Sequence, residues 1–522
     1  MTIRIGIDFD NTIVNYQGLF SAVAKKLKFN LDRYPTKKEL IKKEIFKNKD
    51  GLKLWQKLQG KVYGEFISGA KIFDGVKKFI VHCNLKKYEL FIVSHKTRFG
   101  HYDNKNFLLR DAALQWMYSK NIIGNNLDNI KKENIFFFSS RKKKIQFIKK
   151  LKLDFFIDDL SEVLLDKYFP KSTKKILLAE NFHQNLITAK NWFHIDKIIN
   201  KKWSIQNINK LSSFLLSTKN ITEVKKIHAG INSQVYSLNH SNTKKIILKI
   251  YPSKDKKVSK RIQTEVKALN FLKNKKVLVP QIYKYFNDFN CSFFLFCEGK
   301  KNFIINNSLI DQSCSFIKKL FELSKNKRIP SFSNAKEACF SPSQTCLQIE
   351  KKFNILLKIK NKKLNIFLNK KYKNIYNIKK QKLISELKFK FKKKIKSNNK
   401  ILSPSDFGFH NTILNKKNLY FIDFEYFGWD DPIKLICDFY WHPGNKVNQK
   451  LKNYFLSEMI KYFSKTYKDF EKKLFILLPI YGLRWILIIL NCFSQSNLNN
   501  RFIELKQLRK AKKMLERIVL NG

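Results

Sequence analysis

Four short apolar runs in the first part of the chain each end on acidic or hydroxyl residues. Residues 3–7 (IRIGI) lead into Asp8-Phe9-Asp10-Asn11-Thr12, and 88–93 (YELFIV) into Ser94. Residues 134–138 (NIFFF) lead into Ser139-Ser140, and 154–157 (DFFI) into Asp158-Asp159. Short apolar runs of this kind are the pattern of buried strands. Between the last two, Lys142, Lys143 and Lys144 open a stretch with apolar positions at Ile145, Ile148 and Leu151, which is helical spacing. Strands separated by helices predict a parallel sheet. The gap between Thr12 and Ser94 exceeds what a crossover needs. Helical patterns around 20–27 and 52–66 predict a cap inserted at about 15–80.

From 201 to 220 the strand pattern stops, leaving a polar connector with a short apolar stretch at 211–216. Strand patterns resume at 224–227, 234–238 and 245–250, with a bend at Ala229-Gly230-Ile231-Asn232-Ser233, and a helix is predicted over 260–272. A further strand and turn, 292–296 and Glu298-Gly299, have the form of a link between two lobes. From that turn to Ser403 the pattern is helical, with a basic, poorly periodic section at 351–400; 419–422 (LYFI) is a short buried strand, and 453–520 is a series of amphipathic helices. The run 474–490 is interrupted by Pro479, Gly482 and Arg484 and falls short of about 20 unbroken apolar residues, so a core helix is expected there.

The strand ends carry chemistry. Two carboxylates, Asp8 and Asp10, emerge at the C-terminal edge of a strand, where open α/β sheets keep their ligands. Asp8 can attack a phosphate, Asp10 can protonate the leaving oxygen, Ser94 with a lysine can hold phosphoryl oxygens, and Asp158 can help bind magnesium. In the second half, Asp406, Asn411 and Asp423 supply a proton acceptor followed by two groups able to hold magnesium. Asp406-Phe407-Gly408 spells the metal-binding triplet of protein kinases, but the segment upstream at 388–396 (KFKFKKKIK) offers no carboxylate to act as base. Asp406 is therefore assigned as the base and Asp423 as the metal ligand. Upstream, Lys249 on a strand and Glu265 on the following helix have the order of the pair that fixes nucleotide phosphates.

These motifs resemble two families. Asp8, Asp10, Thr12, Ser94 and the Asp158-Asp159 pair resemble the motifs of the haloacid dehalogenase superfamily. That resemblance implies a Rossmann-like parallel-sheet domain over 1–200 with its helical cap, and an aspartyl-phosphate mechanism. It also implies phosphate contacts from Thr12, Ser94 and Lys144, with Lys143 as the rival lysine, and Mg2+ held by Asp8, Asp10, Asp158 and Asp159. The stretch from Ser403 to Asp423 is similar to the loop of the aminoglycoside phosphotransferase and choline kinase-like family, with Pro404 where that family carries a histidine. This second resemblance implies a bilobal protein kinase-like (α+β) domain over 221–522. Gly230, Asn232, Ser233, Lys249 and Glu265 would then hold ATP, with Asp406 catalytic and Asn411 and Asp423 on Mg2+. The fold class expected is α/β, and the expected function is bifunctional: a phosphatase acting on a phosphorylated small molecule, and a kinase acting on a hydroxylated acceptor such as a sugar or amino alcohol.

Composition refines this. A chain of 522 residues is long enough for two or three domains, and 44% hydrophobic with 14% aromatic residues supports folded ones. A formal charge of +63 raises the possibility of a nucleic-acid partner. The lysines run through nearly every segment, however, and Lys, Asn, Ile and Phe are residues that A/T-rich codons encode. A polynucleotide end-processing kinase would need GxxxxGK[ST], which does not occur. Nucleic-acid and membrane partners are not expected, and a decayed regulatory protein is the other alternative. The eight cysteines form no CxxC pair, and the first strand begins at residue 3 without an apolar leader, so reduced thiols and a cytoplasmic protein are expected.

Overall fold

The computed structural model describes residues 2–102, 107–200, 203–229, 233–241, 245–252, 258–326, 328–494 and 501–520. The chain divides into two compact units: Met1–Ser259 with Lys284–Phe293, and Lys260–Tyr283 with Phe294–Gly522. The division falls inside the stretch 221–522, not at the expected connector.

The first unit is built on a six-stranded sheet. Its strands are β1 (Arg4–Ile7), β2 (Glu89–His95), β3 (Ile135–Phe138), β4 (Phe155–Asp158), β5 (Lys174–Leu178) and β6 (Ile187–Ala189), in the order β3-β2-β1-β4-β5-β6. Every pairing is parallel. The order reverses at β1, so the C-terminal ends of β2, β1 and β4 frame the crevice where such sheets take ligands. β5 and β6 carry no chemical punctuation, and the sequence pattern passed over them. Ile5, Ile7, Phe79, Ile92 and Trp192 are buried in the core of this sheet.

Between β1 and β2 the inserted region folds as helices Leu19–Lys26, Lys38–Ile45 and Gly51–Tyr63. The middle helix has only Ile41, Glu44 and Ile45 buried, too narrow an apolar face to stand out in the sequence.

The expected connector is the helix Ile205–Leu216, capped by the Ser204 side chain, which accepts from the Asn207 N–H. Its Ile208, Leu211 and Leu215 are buried in one cluster with Val81 and Leu85 from helix Val76–Leu85 and with Tyr236, Leu248 and Phe293. It is core and not a tether. The strands that follow are β7 (Ile221–Ala229), β8 (Gln234–His240), β9 (Ile246–Ile250), β10 (Ile282–Phe286) and β11 (Cys291–Leu295), in the order β10-β11-β9-β8-β7.

The second unit is mainly helical. Helix Pro432–Trp441 is buried along its whole length, with the Asp431 carboxylate accepting from the Ile433 N–H at its start. Helix Phe470–Ile489 is long and apolar enough to cross a membrane, but Leu474, Ile480, Leu483, Ile486 and Leu487 are buried within the unit. Pro479 lies inside this helix. The basic stretch at 351–400 is helical for most of its length, in Lys362–Ile366 and Lys373–Leu387 joined by a π-turn at Phe367–Tyr372. A π-turn adds a residue to the turn and shifts the buried face, which accounts for the poor 3.6-residue periodicity.

Candidate functional site

At the crevice of the first sheet, backbone geometry brings the β1 and β4 ends together. The Asp8 N–H donates to the Ile157 carbonyl at 2.9 Å, placing Asp8 and Asp158 side by side. The Lys144 ammonium then donates to Asp8 Oδ1 at 2.6 Å and to Asp158 Oδ2 at 2.7 Å. Lys143 is exposed. Helix Arg141–Lys150 starts on Ser140, whose hydroxyl accepts from the Lys143 N–H, and this cap sets which lysine faces inward.

Asp8, Asp158 and Asp159 offer oxygens that all lie within 4.8 Å of one another. Burial pushes Asp8 well above the ordinary carboxylate range, against the pull of Lys144, and burial with Asp158 nearby raises Asp159. For Lys144, burial favours the neutral form, but the two carboxylates outweigh it and hold the ammonium charged. Three crowded carboxylate oxygens, with the proton affinity of Asp8 and Asp159 raised, fit a hard divalent cation such as Mg2+. The Thr12 hydroxyl donates to Asp159 at 3.3 Å. Ser94, at 1% exposure, has its hydroxyl buried without a partner among the described residues, as suits a group kept for a ligand oxygen.

Asp10 lies outside that triad of oxygens. Its Oδ1 accepts from Tyr16 at 2.5 Å and its Oδ2 from Lys96 at 2.7 Å. Asn11, between Asp10 and Thr12, holds a left-handed φ of 57°. Such a conformation stores of order 1 kcal/mol and recurs beside reacting groups.

In the second unit, strand Ile401–Ser403 pairs with Gly428–Asp430, and strand Thr412–Asn415 forms a hairpin with Asn418–Phe421. Asp406 lies on the loop entering this hairpin and Asp423 on the loop leaving it. The Ile422 N–H donates to the Asn411 carbonyl at 3.0 Å, which joins the two loops. The Asn411 amide nitrogen donates to the Asp406 carbonyl at 2.9 Å. Ser405 and Asp423 both hold φ of 70°. Asp423 stands with Glu265 and Glu425 in a second acidic cluster whose ligand oxygens lie within 4.8 Å. Glu425 is already paired with Arg261, and Glu265 accepts the Phe424 N–H at 3.2 Å.

Asp406 Oδ1 meets His410 Nε2 at 3.0 Å and His442 Nε2 at 3.2 Å. Burial alone would raise the carboxyl, but hydrogen bonds from His410 and His442 hold it well below the ordinary range. Lys249 is buried on β9 with its ammonium 4.8 Å from the Tyr251 ring centroid. Ser233 is half-buried just before β8, whereas Gly230 and Asn232 lie outside the described residues.

No family model matches the sequence, and no curated protein does. Among solved structures, the chain is similar to the ADP-bound aminoglycoside phosphotransferase APH(2'')-Ib, at 15% identity and a TM-score of 0.40, over 59% of this chain and 96% of that one. It is also similar to the choline kinase LicA from Streptococcus pneumoniae, at 17% identity and a TM-score of 0.39, over 62% and 99%. A third is the amicoumacin kinase hAmiN in complex with AMP-PNP, Ca2+ and Ami, at 13% identity and a TM-score of 0.42, over 62% and 96%.

Several site residues carried no motif. Tyr16, Lys38 and Tyr63 belong to the inserted helices and their flanks. The Lys38 ammonium donates to the Tyr63 hydroxyl at 2.9 Å, and it is held charged by that hydroxyl and by Asp159 and Asp10, which outweigh its burial. His442 sits at the C-terminal end of a buried helix, far in sequence from Asp406. A histidine pair of this kind leaves no spacing that a single sequence displays.

Proposed function

We propose that the chain is a bifunctional phosphoryl-transfer enzyme: an Mg2+-dependent phosphatase at the first centre and an ATP-dependent small-molecule kinase at the second. The observation that carries the reading is the convergence of Asp8, Asp158 and Asp159 around Lys144 at the reversal point of a parallel sheet.

At the first centre an Asp8 carboxylate oxygen attacks the phosphorus, and the bond to the leaving alcohol oxygen breaks. That oxygen takes a proton from Asp10 or from the Tyr16 and Lys96 hydroxyl and ammonium bonded to it. Water then gives a proton back to Asp10 as its oxygen bonds to the phosphorus of the acyl-phosphate, and the bond from phosphorus to the Asp8 oxygen breaks, releasing inorganic phosphate and the Asp8 carboxylate. Lys144 holds Asp8 in position throughout, and Ser94 and Thr12 offer hydroxyls to phosphoryl oxygens. Mg2+, held by Asp8, Asp158 and Asp159, would neutralise charge on the transferring group.

At the second centre Asp406 accepts the proton of an acceptor hydroxyl, while Asn411 and Asp423 would hold the cation that accompanies ATP. A sugar or amino alcohol is the acceptor class proposed.

The test uses the whole chain with Mg2+. Hydrolysis of p-nitrophenyl phosphate should vanish in Asp8→Asn, and ATP turnover should vanish in Asp406→Ala, each variant keeping the other activity. Hydrolysis that survives Asp8→Asn would end the phosphatase reading, and ATP turnover that survives Asp406→Ala would end the kinase reading.

A further inference from the structure

The loop before Asp406 carries Pro404 and no histidine, yet the carboxylate is firmly held. Its Oδ1 takes both contacts, from His410 and from His442, while Oδ2 meets no hydrogen-bonding group among the described residues. The Asp406 side chain is 43% exposed against 21% for His410 and 15% for His442.

We propose that His410 and His442 are positioning residues of the kinase centre, fixing Oδ1 of Asp406 so that Oδ2 alone receives the acceptor's proton. This rests on the assignment of Asp406 as proton acceptor.

The tautomer of one imidazole is set by its surroundings. The Gly444 N–H donates to His442 Nδ1 at 3.0 Å, so that nitrogen bears the lone pair and the proton sits on Nε2, facing Asp406. The two rings are stacked at 3.9 Å between centroids and 3° between planes. Two glycines wall them in. A Cβ on Gly408 would lie 2.9 Å from His410 Nδ1 and 3.1 Å from Asn445 Cγ, and one on Gly444 would lie 3.1 Å from His442 Nδ1 and 3.3 Å from His410 Cγ. Asn445 closes the assembly, accepting the Phe409 N–H at 2.9 Å and donating to the Phe439 carbonyl at 2.8 Å. Behind His442, the Trp485 ring stands edge-on at 4.6 Å and donates to Asp438 at 2.8 Å, and Asp438 is itself paired with the buried Lys434 and Arg484.

The same three side chains have ligand atoms close enough for a metal ion. The Gly444 N–H on His442 Nδ1, however, already fixes the proton of that ring on Nε2, where a metal would have to bind. A metal-bound His442 would carry its proton on Nδ1, against the Gly444 N–H. The geometry is that of two donors on one carboxylate oxygen.

Two donors weaken Asp406 as a base, and the reaction tolerates this. In a loose phosphoryl-transfer transition state most of the rate comes from placing the groups. As the acceptor oxygen bonds to the γ-phosphorus, its proton passes to Oδ2, and the bond from phosphorus to the β,γ-bridging oxygen breaks with its electron pair staying on ADP.

The experiment is ATP hydrolysis by the intact chain with Mg2+, water serving as acceptor, alongside AMP-PNP binding and thermal midpoints. His410→Ala and His442→Ala should each lower kcat by about 10- to 100-fold. The KM for ATP and the AMP-PNP affinity should stay within about twofold, and His442→Gln, which keeps an N–H donor, should recover much of the loss. Unchanged kcat, or parallel loss of AMP-PNP affinity and thermal midpoint, would overturn the proposal. So would a transition metal that copurifies at one per chain and is lost in both alanine variants. If the wild type binds AMP-PNP but turns over no ATP, the kinase reading fails by itself. The clamp is then judged by histidine 15N spectra: Asp406→Ala should displace the His410 and His442 signals, with His442 in the Nε2–H form, and unmoved signals would refute it.

Discussion

Asp8 at the first centre and Asp406 at the second are held in opposite ways. At the first, an internal cation does the work: Lys144, at 1% exposure, lies between Asp8 and Asp158, and Lys96, at 3%, covers Asp10. At the second, Asp406 takes no Lys or Arg among the described residues; its partners are two imidazoles on one oxygen. A buried ammonium gives strong attraction but must itself be desolvated, so removing either partner leaves an uncompensated charge. Imidazole donors on a half-exposed carboxylate orient it with little at stake for folding. Around Asp8, stability is therefore coupled to chemistry, and around Asp406 the two are separated.

The largest break in that comparison is Lys144→Met. With Asp8 and Asp158 left facing each other, the metal-free chain should lose about 3–5 kcal/mol of stability, with phosphatase activity lost as well. Urea unfolding followed with and without Mg2+ checks this, and Mg2+ should restore part of the loss. An unchanged midpoint in EDTA would mean that Lys144 is not the counter-charge.

Asp406→Asn should do the reverse. ATP turnover should drop by about 10²- to 10⁴-fold, the range for removing a positioned acid–base group, with a thermal midpoint close to wild type. A large fall in the midpoint would erase the contrast between the centres.

Lys96→Met is a finer test at the first centre. It deletes the donor to Asp10 Oδ2 while keeping the buried stem, and should raise the barrier to p-nitrophenyl phosphate hydrolysis by about 1–3 kcal/mol through kcat. An effect confined to KM would instead assign Lys96 to substrate binding.

The smallest expected effect concerns Asp431, a buried carboxylate in the second unit with a helix cap to satisfy. Burial pushes it up to about 7, against the Ile433 N–H and with Asp430 adding to the rise. Because the folded group binds its proton more tightly than the unfolded one, stability from this group falls as pH rises from about 4 to about 7. Asp431→Asn keeps the cap and removes the titration, so it should be more stable than wild type at pH 7.5 by about 1 kcal/mol and gain nothing at pH 4. Urea midpoints at the two pH values decide it, and parallel pH profiles would rule it out.

How much of this was legible in the sequence depends on range. Asp8, Ser94 and Asp158 stand out because each terminates a short apolar strand, so a local pattern places them at one sheet edge. Lys144 could not be separated from Lys143 by pattern, since the choice depends on where Ser140 starts the helix. His442 and Lys38 were invisible because tertiary packing alone brings them to their centres. The strand boundaries at the second centre shifted by a single residue, from 419–422 to Asn418–Phe421, whereas the π-turn at Phe367–Tyr372 blurred the period within a region that is helical in pattern.

Helix Ile205–Leu216 has a practical bearing on dissecting the protein. Because Ile208, Leu211 and Leu215 share a core with Val81 and Leu85, a scissile site placed near residue 200 or 220 would strip oil from both cut ends. Fragments made there should clump, and the two chemistries are better parted by single side-chain changes in the undivided polypeptide.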